Sequence, residues 1–265
     1  MSVADTTPEP TLVVQHVSKS FGSVTAVQDA SLSAGAGEVT AIIGDNGAGK
    51  STLIKCVSGV HRSDAGEVCL DGHPVGFASP EEGRARGIET VYQDLALVDD
   101  LAVWQNLFLN RERTRGAGPI RFLDRQGMQR EAESMLQRLD VDVPSVRERV
   151  RRLSGGQRQA VAICRAAGWG SRLVIMDEPT AALGVRETAR VEELIRRLRD
   201  DGLAVLVISH NFDQVLRLSD RVWIMRQGRV VDGFRTAETS AEELVAAVTG
   251  AQRAANQPRG RSQQP

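Results

Sequence analysis

The stretch Gly44-Asp45-Asn46-Gly47-Ala48-Gly49-Lys50-Ser51 stands between an apolar run at 38–43 and a helix-forming segment at 50–57 that stops at Ser58-Gly59. Its glycines let successive backbone N–H groups close around the phosphates of a nucleotide such as ATP. The order strand, loop, helix adds a helix N-terminus whose partial positive charge and unpaired N–H groups face the same phosphates. Asp45, Asn46, Ala48 and Thr52 complete the nucleotide-binding set, Lys50 has the reach for the outer phosphates, and the Ser51 hydroxyl is a candidate Mg²⁺ ligand.

Outward from this loop, three nearly continuous apolar runs at 87–92, 173–176 and 203–208 have the composition of strands buried on both faces of a parallel sheet. The second closes in Asp177-Glu178-Pro179. A carboxylate there lies where an open α/β sheet binds its ligands. Asp177 is the candidate Mg²⁺ group, acting through water, and Glu178 the candidate general base for an attacking water. Segments 12–17, 24–32 and 67–70, broken by Gly and Asp-Gly turns, predict a small antiparallel sheet. A helix is predicted over 186–201, with Val191, Leu194, Ile195 and Leu198 on one face. A hairpin follows over 221–226 and 229–231, and Ser240 with Glu243 forms a capping box for a last helix ending at Gly250. Residues 94–166 lack β-branched runs and contain a helix over 128–139, so they are read as a mostly helical insertion. The fold class is thus α/β: a P-loop core with a mainly parallel sheet, an antiparallel β-subdomain and a helical subdomain spanning 12–250, between polar ends at 1–11 and 251–265.

A second anion site is written at Leu153-Ser154-Gly155-Gly156-Gln157, a small turn opening a helix, although Ser154 is also explained as a simple N-cap. The two motifs in this order resemble the ATP-binding domain of ABC transporters. That resemblance implies that Ser154, Gly155, Gly156 and Gln157 cover the γ-phosphate held by a second subunit, in a head-to-tail dimer with two sandwiched ATPs. It also implies that Gln93 contacts Mg²⁺ and water, that His210 after Val207-Ile208-Ser209 meets the γ-phosphate, and that Phe21 stacks on adenine. Many relatives carry an aspartate where this chain has Gly184, in Ala181-Ala182-Leu183-Gly184, so cross-dimer communication through that carboxylate is missing. The strings Glu-Pro-Thr-Ala-Ala-Leu-Gly-Val and Val-Ile-Ser-His-Asn are similar to those of ATPases for simple-sugar uptake. The resemblance therefore implies an ATP hydrolase with Mg²⁺, working as a homodimer at the cytoplasmic face of the membrane with permease subunits and a solute-binding protein. An importer ATPase for another small solute, such as an amino acid, and a soluble ABC ATPase outside transport are the alternatives.

Composition narrows the remaining classes. The chain has 265 residues, 33 basic against 34 acidic, and a formal net charge of −1, which argues against nucleic-acid binding through bulk charge. The Arg-rich run at 147–152 has no interleaved aromatics and is read as a solvated approach to the Ser154 turn. Cys56, Cys69 and Cys164 form no CxxC pair and are expected as free thiols. No window holds the roughly 18 apolar residues of a membrane span. Trp104 and Phe108 share a helical face and are expected to pack, while His16, His61 and His73 follow no ligand spacing.

Overall fold

Alternation of side chains across each strand sorts this chain into layers, and the sorting begins with two sheets. The structure, a computed structural model, describes residues 10–77, 79–116 and 121–251. Its first half contains β1 (Leu12–Phe21), β2 (Val24–Ala34), β3 (Val39–Ile43), α1 (Lys50–Val57), β4 (Ala65–Leu70), β5 (His73–Val75), α2 (Pro80–Ala85) and β6 (Ile88–Val91). Next come α3 (Val103–Leu107), β7 (Thr114–Arg115), β8 (Phe122–Leu123), α4 (Arg125–Arg138) and α5 (Gly155–Ala167). The last part holds β9 (Leu173–Asp177), α6 (Val185–Asp200), β10 (Ala204–Ile208), α7 (Phe212–Leu218), β11 (Arg221–Arg226), β12 (Arg229–Arg235) and α8 (Ala241–Thr249).

The antiparallel sheet has the order β2-β1-β4-β5, and the larger sheet the order β12-β11-β3-β10-β9-β6. Every pairing in the larger sheet is parallel except β11 with β12. Its central strands have two buried faces. Ile42, Ile175 and Leu206 point toward the antiparallel sheet and α1, where they join Leu12, Val14 and Leu53. Val174, Met176, Val205 and Val207 point the other way, into a core shared with Val161 and Ile163 of α5 and with Val191, Leu194, Ile195 and Leu198 of α6. That second core also takes in Trp104, Leu107, Phe108, Met128 and Met135, so the helical block is anchored by apolar burial. Trp104 and Phe108 are packing residues, as their spacing predicts.

Several local features depart from the sequence reading. The β7–β8 hairpin interrupts the block read as mostly helical. The second hairpin strand, read as ending at 231, runs to Arg235 because Gly233 lets the Trp223 ring lie across it; a Cβ there would sit 2.5 Å from the ring. Thr11, grouped with the polar end, is buried, and its carbonyl accepts from the Asp71 N–H at 2.8 Å. The rest of the polar-end assignments, at 1–9 and 252–265, lie outside the described residues. All three cysteines are free; burial pushes the Cys56 thiol up to about 11 and the Cys164 thiol up to about 12, which keeps both as unreactive thiols.

The loop between β3 and α1 is braced from outside. The Gly228 N–H of the β11–β12 turn donates to the Ala48 carbonyl at 3.0 Å, and the Gln28 N–H of β2 donates to the Gly228 carbonyl at 2.7 Å. Gly49, at φ 98°, is the residue that fits under this brace, since a Cβ on it would lie 2.4 Å from the Ala26 carbonyl oxygen. Gly49→Ala is therefore expected to destabilise the chain by about 2–3 kcal/mol in urea unfolding. A loss below about 0.5 kcal/mol, the range of neutral surface changes, would contradict this account of the brace.

Candidate functional site

The carboxyl ends of β3, β9 and β10 lie side by side, because Ile208 is in register with both Ile42 and Asp177. From these adjacent ends emerge the phosphate-loop residues, the pair Asp177-Glu178, and Ser209-His210. Sequence-distant side chains thereby share one edge of the sheet. Lys50 begins α1 and is buried; its ammonium donates to the carbonyls of Gly44 at 2.7 Å and Asp45 at 2.9 Å, arching over the loop. Burial lowers its pKa, and the nearby carboxylates of Glu178, Asp177 and Asp45 pull it partly back.

Ser51 Oγ donates to Asp177 Oδ2 at 3.4 Å. Burial and then the neighbouring Glu178 charge raise the Asp177 carboxyl, with the Ser51 hydroxyl and Lys50 opposing. Two hard oxygen donors in contact suit Mg²⁺, which keeps most of its shell as water and phosphate oxygen. Among the described residues no three His, Cys, Asp or Glu side chains converge into a protein-only metal cage.

Glu178 is forced into the left-handed region, φ 53°, immediately after the strand. For a residue with a Cβ that conformation costs on the order of 1 kcal/mol. It turns the carboxylate toward His210, whose Nδ1 lies 2.7 Å from Glu178 Oε1. The Glu178 side chain is mostly covered while His210 is exposed. An ionised carboxylate only accepts, so Nδ1 carries the proton of this bond and Nε2 is directed away from it.

Under this pair runs a buried polar network that the sequence reading missed. Ser209 Oγ donates to Gln214 Oε1 at 3.0 Å, while the Gln214 amide donates to Thr180 Oγ1 at 2.7 Å and to Glu192 Oε1 at 3.2 Å. Arg217 adds a bond to Glu192 at 2.9 Å. The network ties the loop after β9 to the loop after β10, and so fixes Glu178 against His210.

The remaining candidates stand on other elements, and Gln93 leaves the same sheet edge because Val91 is in register with Met176. Gln93 follows β6, the next strand in the sheet, and is exposed. Phe21 ends β1, half exposed, with the His61 ring edge-on at 5.2 Å and Lys19 Nζ 5.5 Å from its centroid. Ser154 caps α5, its Oγ accepting from the Gln157 N–H at 3.3 Å while Gln157 Oε1 accepts from the Ser154 N–H at 3.1 Å. The N-cap explanation of Ser154 is thus realised. The Gly156 N–H donates to Glu187 Oε1 at 3.3 Å, within the same chain and not to the Lys50 loop. The Arg-rich run is held by acidic partners, Arg151 by Asp100 at 2.8 Å and Arg152 by Glu148 at 3.1 Å.

A family model described as "ABC transporter" matches residues 27–181. The chain is 44% identical to the xylose/arabinose import ATP-binding protein XylG of Sulfolobus acidocaldarius, over 90% of this chain and 93% of that protein. It is 46% identical to the fructose import ATP-binding protein FrcA of Rhizobium meliloti, over 92% of this chain and 95% of that one. Among solved structures, the ADP conformation of MJ1267, an ATP-binding cassette of an ABC transporter, matches with a TM-score of 0.76 at 25% identity, covering 92% of this chain and 97% of that chain.

The raised Asp177 pKa means that its charged form is disfavoured by folding. Its penalty is fully present above the folded value, fades as pH falls through that value, and is gone below the ordinary 3.8. Asp177→Asn is accordingly expected to raise the melting temperature of the nucleotide-free chain at neutral pH, with the advantage over wild type shrinking toward pH 4. A variant that melts lower than wild type at neutral pH would contradict the charge-burial argument.

Proposed function

The chain belongs to the ABC transporter family, and we propose that it is the ATP-binding and ATP-hydrolysing subunit of an importer for a simple sugar. The observation that carries this reading is the convergence of Lys50, Ser51, Asp177, Glu178 and His210 at one edge of the parallel sheet. The likeness to import subunits for xylose/arabinose and fructose over most of both chains supports the solute class.

In this proposal the triphosphate of ATP lies in the loop Gly44–Ser51, its oxygens taken by main-chain N–H groups and by the Lys50 ammonium, which leaves the Gly44 and Asp45 carbonyls for them. Phe21 stacks against the adenine. Ser51 and Gln93, with Asp177 acting through water, would hold Mg²⁺, which would supply positive charge to the phosphates. Glu178 accepts a proton from the attacking water, and His210 orients its carboxylate through Nδ1–H; a bond from the far ring nitrogen to the γ-phosphate requires a proton there as well. Ser154 and Gly156 of a second copy close the site from the opposite side, aided by Gly155 and Gln157, so that two head-to-tail copies enclose two ATPs. Water exclusion strengthens every electrostatic contact inside. Hydrolysis and product release then reopen the pair.

Work leaves the subunit through a membrane permease that it contacts at the cytoplasmic face, with a solute-binding protein delivering the sugar. No helix among the described residues is long and apolar enough to cross a membrane. A groove of about 630 Å³ beside Gln93, lined by Tyr92, Glu89, Arg111, Arg165 and Trp169, is the surface proposed for the permease. Arg165 stiffens it by donating to the carbonyls of Leu95 at 2.8 Å and Ala96 at 2.7 Å.

Glu178→Gln is expected to bind ATP and remain paired while hydrolysis falls by roughly 10²–10⁴. Full turnover in that variant would remove the general-base assignment. Lys50→Ala should lose nucleotide affinity in equilibrium titration, and unchanged affinity would count against the phosphate cradle. For the solute, ATPase activity of the chain assembled with its permease should rise with a pentose or hexose; stimulation by an amino acid and by no sugar would reassign the cargo.

A further inference from the structure

Glu187 lies in the first turn of α6, yet its carboxylate is spent on another helix. Oε1 accepts from the Gly156 N–H at 3.3 Å, and the Ser154 hydroxyl is near enough to act on the same carboxylate. Oε2 accepts from the Gly184 N–H at 3.4 Å. The Gly156 N–H, then the Ser154 hydroxyl and the Gly184 N–H, hold the carboxyl below its ordinary value, so it stays charged through the neutral range. Gly156 is what lets the side chain lie flat against the turn, since a Cβ at that position would sit 2.9 Å from Glu187 Cβ.

We infer that Glu187 is a built-in competitor for the outer phosphate: its carboxylate occupies the Gly156 N–H beside Ser154 and must leave before a second copy's ATP can dock there. This inference rests on the functional reading above, in which those two residues close over the partner's nucleotide. The physics is direct. A helix N-terminus attracts one anion strongly, and two acceptors carrying like charge do not share the same N–H and O–H donors. An exit route is available to the carboxylate. Arg190, three residues on along α6, lines the same groove of about 430 Å³ as Glu187, Ser154 and Gly156, and its charge already acts on the Glu187 carboxylate. A rotamer change carries the carboxylate from Gly156 toward that guanidinium. Because Oε2 also caps Gly184, the departure loosens the loop that starts α6 at the moment the nucleotide arrives. The device raises the ATP concentration at which two copies pair, and so restrains hydrolysis in the idle subunit.

The test uses chains carrying Glu178→Gln, so that ATP persists, and follows the paired fraction against ATP concentration by sedimentation. Adding Glu187→Gln removes the charge but keeps oxygen and amide for the Gly184 cap. The half-saturating ATP concentration is expected to fall roughly three- to tenfold, with little change in the nucleotide-free melting temperature. Glu187→Ala should shift it the same way, which keeps the test available if the first variant misfolds. An unchanged or higher ATP requirement overturns the inference and makes Glu187 a brace for the turn. Failure of the Glu178→Gln chain itself to pair at any ATP concentration overturns the functional reading first, and the inference with it.

Discussion

Parallel pairing of β3, β10 and β9 is the constraint on which the site depends. Their register places Ile42, Ile208 and Asp177 in one row, so the chain leaves each strand at the same edge. The register is held by two-sided burial. A slip of one residue would send Ile175 and Leu206 into the helical layer and Val174 and Val205 toward the antiparallel sheet. Lys50, Asp177, Glu178 and His210 meet because apolar side chains far beneath them leave no other arrangement.

That arrangement is held against local preference. Lys50 and Asp177 are both partly desolvated, and the pKa of each moves toward its neutral form. Glu178 takes a backbone conformation that a residue with a Cβ rarely adopts. The buried bonds among Ser209, Gln214, Thr180 and Glu192 supply the local rigidity that holds this strain in place. A site built to receive a polyanion and a cation is expected to look this way when described as protein alone: charges of both signs gathered in a partly desolvated cleft.

The fold was legible wherever a period or a punctuation mark was long enough to read. The helix over 50–57 follows from Gly49 before it and Ser58-Gly59 after it, and α6 from four apolar residues on one face. The short helices α2, α3 and α7 have only 6, 5 and 7 residues, too few for a period to emerge. Residues of the site that belong to compact motifs could be named from sequence. Gln214, Glu192 and Glu187 could not, because a polar residue inside a helix looks solvated until tertiary packing shows which face it takes. The one available hint for Glu187 was its place three residues after Gly184, the spacing of a helix-start glutamate.

A working site is proposed to be assembled from two copies, and mixing two disabled chains tests this most directly. One chain carries Lys50→Ala, the other a Ser154→Arg block in the turn that opens α5, and each alone should be nearly inactive. In a mixed pair, one site combines the intact loop of one copy with the intact turn of the other. Equal mixing is therefore expected to restore roughly a quarter of wild-type hydrolysis, since about half the pairs are mixed and each holds one sound site of two. A mixture no more active than the sum of its two inactive components would contradict the shared site.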